Sequence, residues 1–275
     1  MSYSNYHSRR IPGFIRYIVD LIRFQHLCWN LVGSDLRSRF RRSRVGILWA
    51  VIQPLAFSLL IAWAWGTLFN AQDYWTFALY VFAGMLVWEY FGNTLNGALD
   101  ALTGAVGYLR QSRVPLLVFQ ARVPITGMVT YLAGLCGLLG MLLALGKFPP
   151  IGWHLLLILA FPFVMIAFLL PLAIMFSVWG AQLRDLRHII QIGLQALFFI
   201  SPVMLDRAML SGDRLAILQF LNPLVPLLDM MRAPLLYGRE WTNLEMITLG
   251  VWGALLWVAC FVVAGQAGRR IVFAL

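Results

Sequence analysis

The segment 35–69, DLRSRFRRSRVGILWAVIQPLAFSLLIAWAWGTLF, decides what this chain can fold into. Arg37, Arg39, Arg41, Arg42 and Arg44 crowd its first part, and no charged side chain occurs from Val45 to Phe69. A helix needs about 20 apolar residues to cross the hydrocarbon of a bilayer, and a basic run beside such a stretch marks its cytoplasmic flank. The junction therefore predicts a membrane span entered from the inner side.

Composition extends this to the whole chain. Of 275 residues, 61% are hydrophobic and 12% charged; a soluble domain carries about a quarter charged residues. Apolar runs recur from end to end, so the expected fold class is an all-α polytopic membrane protein. The net charge of +10 is no signal for nucleic acid, because the arginines gather beside spans and against lipid headgroups. Cys28, Cys136 and Cys260 are odd in number and show no C-x-x-C, which indicates neither a disulfide framework nor a metal site. His7, His26, His154 and His188 have no ligand spacing, so no metal is expected. No secretory signal peptide is expected, since the first apolar run follows a long basic and amphipathic lead. Lys147 is followed by Phe148 and Met141 stands at the first Gly position, so the chain lacks the G-x-x-x-x-G-K-[ST] of a P-loop. If ATP is used, a partner must bind it.

Residues 14–33 show helical periodicity, with Ile18, Leu21, Ile22, Cys28 and Val32 on one side. They predict an amphipathic helix lying in the interface plane or packed on a cytosolic partner. Six spans are expected near 47–69, 76–99, 117–145 (starting after Pro124), 155–179, 189–205 and 244–265. Residues 1–44 form a cytoplasmic N-terminal segment and 45–275 the transmembrane domain. With both termini inside, only Lys147, Arg207, Arg214, Arg232 and Arg239 fall on the outer side and every other basic residue on the inner, as the positive-inside bias requires. Segment 206–243 is apolar but broken by Pro223, Pro226 and Pro234. It predicts two short outer helices dipping into the membrane, with the break at Asn222-Pro223.

Several intramembrane side chains call for explanation. Glu89, Asn93, Asn96 and Asp100 follow at i, i+4, i+7 and i+11, within about 60° of one helix face. They face either a pathway or neighbouring helices as hydrogen-bonding glue, the more general use. Trp49, Gln53, Phe57 and Trp63 share a face of the first span, and Gln191, Gln195 and Phe198 a face of the fifth. Aromatic rings pack on sugar C–H faces and amides pair with hydroxyls, so these residues suit a glycan channel. Interfacial aromatics and ordinary packing are the alternative. Gly134, Gly137 and Gly140 predict close helix approach in the third span. No nucleophile–base pair or paired carboxylates stand out, so no catalytic residue is assigned.

The junction SDLRSRFRRSRVGILWAVIQP resembles the signature of the polysaccharide and polyol-phosphate export permeases, the membrane subunits of type-two ABC exporters. Arg41, Gly46, Leu48, Trp49 and Pro54 match its basic run and G-x-L-W-x-x-x-x-P pattern. Segments 80–91, 184–203 and 221–232 resemble the family's second span, its fifth span with the preceding loop, and its outer re-entrant motif. The resemblance implies a homodimer of the permease with two copies of a separate ABC ATPase, which holds ATP and Mg. It implies no cofactor in this chain and no enzymatic activity of its own. It places a cytoplasmic coupling helix near 102–115, with Tyr108, Leu109, Arg110 and Arg113 available to dock on the ATPase; Asp185 with Arg184 and Arg187 reads as a local cytoplasmic ion cluster or as a further ATPase contact. The family's Lys and aromatic-Pro ending is replaced here by Arg113-Val114-Pro115. The implied function is export of a lipid-linked polysaccharide, O-antigen first, across the bacterial inner membrane. Capsule or teichoic acid export, a drug or lipid exporter, and a membrane-embedded sugar transferase are the alternatives.

Overall fold

The computed structural model describes residues 22–41, 43–69, 73–111, 114–183, 185–204 and 221–267. These residues are helical with short connections, and no strand occurs among them. In chain order the helices are α1 (Gln25–Phe40), α2 (Trp49–Phe69), α3 (Tyr74–Asp100), α4 (Val106–Gln111), α5 (Leu116–Ala144), α6 (Leu156–Gln182), α7 (Leu186–Ile200), α8 (Leu224–Leu236) and α9 (Asn243–Ala267). Short 3₁₀ turns at Gly46–Leu48, Thr103–Ala105 and Trp153–Leu155 lead into α2, α4 and α6. Four segments are long and apolar enough to cross a membrane: Gly46–Thr67, Leu116–Ala144, Trp153–Gln182 and Asn243–Gly265.

Helix ends follow local chemistry. Asp73 caps α3 by accepting from the Thr76 amide at 3.1 Å. α5 ends at Gly146, whose φ of 64° no β-carbon would favour. The Gly146 and Lys147 amides turn back to the Leu143 and Leu142 carbonyls, the double closure of a Schellman end. α9 opens with a capping box: the Glu245 amide donates to Thr242 Oγ1, and Glu245 Oε2 accepts from the Thr242 amide. Arg239 then holds Glu245 from outside at 2.7 Å.

α3 is the axis. It packs against α2, α5, α6, α7 and α8. Lipid tails are as apolar as leucine, so close approach and buried hydrogen bonds hold such a bundle. A β-carbon at Gly180 would stand 2.5 Å from the Leu99 carbonyl oxygen, so α6 crosses α3 main chain to main chain. Gln120 donates to Ser177 at 2.8 Å between α5 and α6. The stacked rings of Tyr90, Tyr131 and Phe161 join α3, α5 and α6, and Tyr131 reaches Met231 of α8.

Several expectations change. The third span begins at Leu116 behind Pro115, and Pro124 lies inside α5; Tyr90 donates to the Pro124 carbonyl there at 2.8 Å. The helix expected as a fifth span is earlier and shorter than 189–205: α7 occupies Leu186–Ile200, taking Arg187 and His188 from the expected loop. The N-terminal helix is also displaced. The described helix runs Gln25–Phe40 and carries Arg37 and Arg39; residues 14–21 lie outside the described residues. It buries Cys28 and Leu31 against Leu102, Val118 and Phe119 of its own bundle, with Asp35 paired to Arg122 of α5 at 3.5 Å. Burial pushes the Cys28 thiol up to about 11, so it is not a reactive thiolate. Of the glycine repeat, Gly134 and Gly137 meet Leu86 and Val51, while Gly140 faces open space. Arg232, expected as an outer charge, is 1% exposed in α8. The other expected outer helix lies outside the described residues.

Candidate functional site

A cleft of about 450 Å³ opens between α2, α3 and α7. α2 supplies Gln53 and Phe57, α3 supplies Trp88, Glu89, Asn93 and Asn96, and α7 supplies Gln191, Gln195, Phe198 and Phe199. Each set recurs at steps of three, four or seven, so each helix turns one face to a common space. The structure thus brings together three groups of sequence positions that lie up to 146 residues apart. A smaller space of about 60 Å³ lies on the other side of Glu89, bounded by Arg39, Phe40, Trp49, Gln53, Asn93 and Tyr131, with room for a few waters.

The polar stripe of α3 borders the cleft along most of its length. Asn96 bonds back to the Gly92 carbonyl of its own helix at 2.9 Å. Glu89 Oε1 and Asn96 Oδ1 are buried and accept no hydrogen bond among the described residues. Among the described residues Asn93 accepts from Arg39 of another helix at 3.5 Å, and Glu89, Asn93 and Asn96 border the cleft. Asp100, at the end of the stripe, pairs with Arg187 of α7 at 2.5 Å.

Aromatic side chains fill the remaining wall. The Trp88 and Phe198 rings meet edge-on at 5.1 Å, and Phe198 meets Phe199 at 5.8 Å. Phe199 is 70% exposed. The cleft therefore offers amide and carboxylate groups beside broad apolar faces. Among its described lining residues, Glu89 carries the one ionisable group.

Other expected residues fall elsewhere. Trp63 is exposed and does not border the cleft. Trp49 borders the smaller space and donates its indole N–H to Ser43 at 3.0 Å. The 3₁₀ turn and α4 occupy the middle of 102–115. There Tyr108 is exposed, its ring 6.0 Å from Phe119, and Leu109 packs on the cluster around Cys28 and Val118. The Arg110 side chain and Arg113 lie outside the described residues. Asp185 is exposed at the start of α7 and its side chain caps nothing. No cluster that could hold a metal occurs among the described residues.

Sequence reasoning missed Trp88 and Arg232. Trp88 lies four and eight positions before Gly92 and Asn96, so the helical step that found the stripe contained it. Arg232 had no local signal. Its guanidinium donates to the carbonyls of Tyr80, Pro202 and Val203 at 3.2, 2.7 and 2.8 Å. Asn222 works beside it: it donates to Ser201 and accepts from the Leu224 amide.

Comparison with known proteins follows the same lines. The chain is 27% identical over 248 residues to the O-antigen export system permease protein RfbA of Myxococcus xanthus, across 89% of this chain and 94% of that protein. It is 20% identical over 222 residues to a protein of the same name from Klebsiella pneumoniae, across 80% of this chain and 83% of that one. It is 23% identical over 208 residues to the polysialic acid transport protein KpsM of Escherichia coli, across 74% of this chain and 79% of that one. No family model matches. The likeness to polysaccharide-export permeases read from the Arg-rich junction stands with these relatives.

Proposed function

We propose, with these permeases as the premise, that the chain is the membrane subunit of an ABC transporter exporting a lipid-linked polysaccharide across the bacterial inner membrane. O-antigen is the first choice of cargo. ATP and Mg are bound and turned over by a separate subunit. The carrying observation is the cleft, where Gln53, Asn93, Asn96, Gln191 and Gln195 stand among Phe57, Trp88, Phe198 and Phe199. Amides exchange hydrogen bonds with hydroxyls of any sugar, and aromatic faces accept C–H surfaces, so a polymer can slide without a sequence-specific lock.

In this reading α2, α3, α5, α6, α7 and α9 are the six spans, with both termini cytoplasmic. α7 is about 22 Å long at 1.5 Å per residue, short of a bilayer core of about 30 Å. α8 forms part of the outer re-entrant segment. A second copy closes the open side of the cleft. Trp49, Ile52, Leu60 and Trp63 of α2 and Ile189, Ile192 and Phe199 of α7 support this, being exposed on the helices that flank it. α4 docks on the ATPase through Tyr108, Leu109, Arg110 and Arg113, with Asp185 beside it.

Capsule export is the second reading, favoured by the polysialic acid transporter among the relatives. A polyanion fits a cleft whose one ionisable group is Glu89 less well than a neutral glycan does.

The test is deletion and complementation. Loss of the chain should remove surface glycan and leave its lipid-linked form inside. Co-expression with the adjacent ATPase should give hydrolysis stimulated by that lipid-linked glycan. Arg110→Glu with Arg113→Glu should uncouple hydrolysis from export. Undiminished surface glycan in the deletion strain, or turnover of sugar nucleotides by the chain alone, would overturn the reading.

A further inference from the structure

α7 is held differently from every other long helix of the bundle. It borders the cleft with Gln191, Gln195, Phe198 and Phe199, yet Ile190 is its one buried residue. Its packing is against α3 and, far less, α6. Ile189, Ile192 and Phe199 are 63%, 68% and 70% exposed. Leu194, Leu197 and Phe198 rest partly buried on the core, and beyond that contact the helix is held at its two ends, each by an arginine.

The outer end is closed by Arg232. Just past the last turn of α7, the Pro202 and Val203 carbonyls accept from Arg232 Nη1 and Nη2 at 2.7 and 2.8 Å. The same guanidinium reaches the Tyr80 carbonyl of α3 and lies 3.5 Å from the Tyr80 ring centroid. Tyr80 adds its hydroxyl to the Pro202 carbonyl, and Asn222 bonds the Ser201 hydroxyl. Arg232 is fully buried. Releasing a buried charge from several carbonyls is costly, so this joint stays closed.

The inner end is closed by one ion pair of opposite character. Arg187, in the first turn of α7, pairs with both carboxylate oxygens of Asp100, and the two side chains are 41% and 63% exposed. Exposed pairs are weak and exchange readily with water and salt. Asp100 is the last residue of α3, and the chain runs from it directly into the 3₁₀ turn and α4. A shift of α4 is therefore felt first at Asp100.

We propose that α7 is a hinged wall of the cleft, with Arg232 as its permanent pivot and Asp100–Arg187 as a latch that opens when α4 is moved. The proposal rests on the export reading, in which α4 receives the motion of the ATPase. Arg187, Asp100 and Arg232 are positioning residues: none of them borders the cleft, and all act through α7. Opening the latch swings Gln191 more than Phe199, because displacement grows with distance from the pivot.

The experiment uses the full transporter in membranes, with the three native cysteines replaced by serine. Asp100→Cys with Arg187→Cys is bridged by a short cleavable bis-maleimide. Bridging should lower export on the order of tenfold and cleavage by thiol should restore it, because a latch that cannot open stalls the cycle. A merely structural pair would export equally well bridged, and that outcome overturns the latch. Asp100→Arg and Arg187→Asp alone should each lower export on the order of tenfold while the swapped pair recovers to within about threefold; a swap no better than the singles also overturns it. A maleimide labelling Gln191→Cys reports α7 without reference to cargo. ATP should raise its labelling rate several-fold, and bridging should abolish the rise; labelling unmoved by ATP overturns the hinge. ATP-dependent labelling of this kind in a transporter whose wild-type chain moves no glycan would instead overturn the export reading.

Discussion

The Arg232 guanidinium lies 3.5 Å above the centre of the Tyr80 ring and also donates to the Tyr80 main-chain carbonyl. One side chain of α8 thus binds one residue of α3 by its face and by its backbone. Removing the charge leaves the carbonyls of Tyr80, Pro202 and Val203 without this donor in a dry setting. Arg232→Met should cost roughly 3 kcal/mol, at about 1 kcal/mol or more per orphaned carbonyl, while Arg232→Lys keeps the charge, loses the fork and should fall between. Thermal unfolding in detergent reads the order. Equal midpoints for Met and wild type would show that the clamp carries no stability.

Glycines at different crossings should respond differently to an added methyl. At Gly180 the β-carbon would meet the Leu99 main chain at 2.5 Å, and at Gly84 it would overlap Arg232 and stand 2.7 Å from the Val203 carbonyl oxygen. Gly180→Ala and Gly84→Ala should each destabilise by about 1–3 kcal/mol. Gly140 has open space around it, and Gly140→Ala should be neutral or stabilising by up to about 1 kcal/mol through helix propensity. Unfolding midpoints of the three variants decide this.

At the start of α3, Lys147 bonds both carboxylate oxygens of Asp73 at 2.7 and 2.6 Å. Lys147 and Thr76 hold the Asp73 carboxyl well below the usual carboxylate range. A depressed acid stabilises the fold above the unfolded pKa of about 3.9 and loses that contribution as pH falls through the folded value. The gap in midpoint between wild type and Lys147→Ala should be constant from neutral pH down to about 5 and should close as the solution is acidified further. A gap that widens on acidification would refute the pairing as its source.

Export should follow the cleft and ignore aromatics outside it. Gln53→Leu with Gln195→Leu should lower glycan export by about tenfold, the effect of losing about one hydrogen bond's worth of transition-state binding, at unchanged protein level. Trp63→Ala should export normally, since Trp63 is 64% exposed on α2 and does not border the cleft. Surface glycan per transporter is the measure.

Glu89 should set the sign of charge the cleft tolerates. Glu89→Gln removes its one ionisable group and keeps an amide beside Asn93 and Asn96. Export of an acidic glycan should rise relative to that of a neutral one, several-fold if a like charge within about 4–6 Å is relieved. Competition between two lipid-linked glycans of opposite charge character, assayed in one strain, gives the ratio directly.

Much of the bundle could be read from the chain because bilayers impose simple rules. Long uncharged runs became helices, and the Asn222-Pro223 break stands at the start of α8. The faces of α2, α3 and α7 could be drawn from the helical step alone, and the structure joins Gln53, Asn93 and Gln195 in one cleft. Where the reading failed, the deciding partner was distant. Pro124 looked like a helix start, but Pro115 already breaks the chain, and α5 begins behind it and runs through Pro124. Arg232 was assigned to the outer side because charge counting treats every arginine as solvated. The carbonyls that dissolve it stand 30 and 152 positions away. Gly140 matched the spacing of Gly134 and Gly137, yet α5 turns that position away from its neighbours.

The place of α3 has a consequence for how the protein is made. It packs against five other helices, as many as α6 does, yet it is missing from the four segments apolar enough to cross a membrane on composition, because Glu89, Asn93 and Asn96 lie along it. A helix of this kind partitions poorly into lipid by itself. In the six-span reading proposed above, α3 follows α2 after a short link, and the two enter the membrane as a hairpin, the apolar member carrying the polar one. Biogenesis then has a point of no return: until α5 and α6 arrive to wrap it, the most important helix of the bundle is a guest that the bilayer has reason to expel.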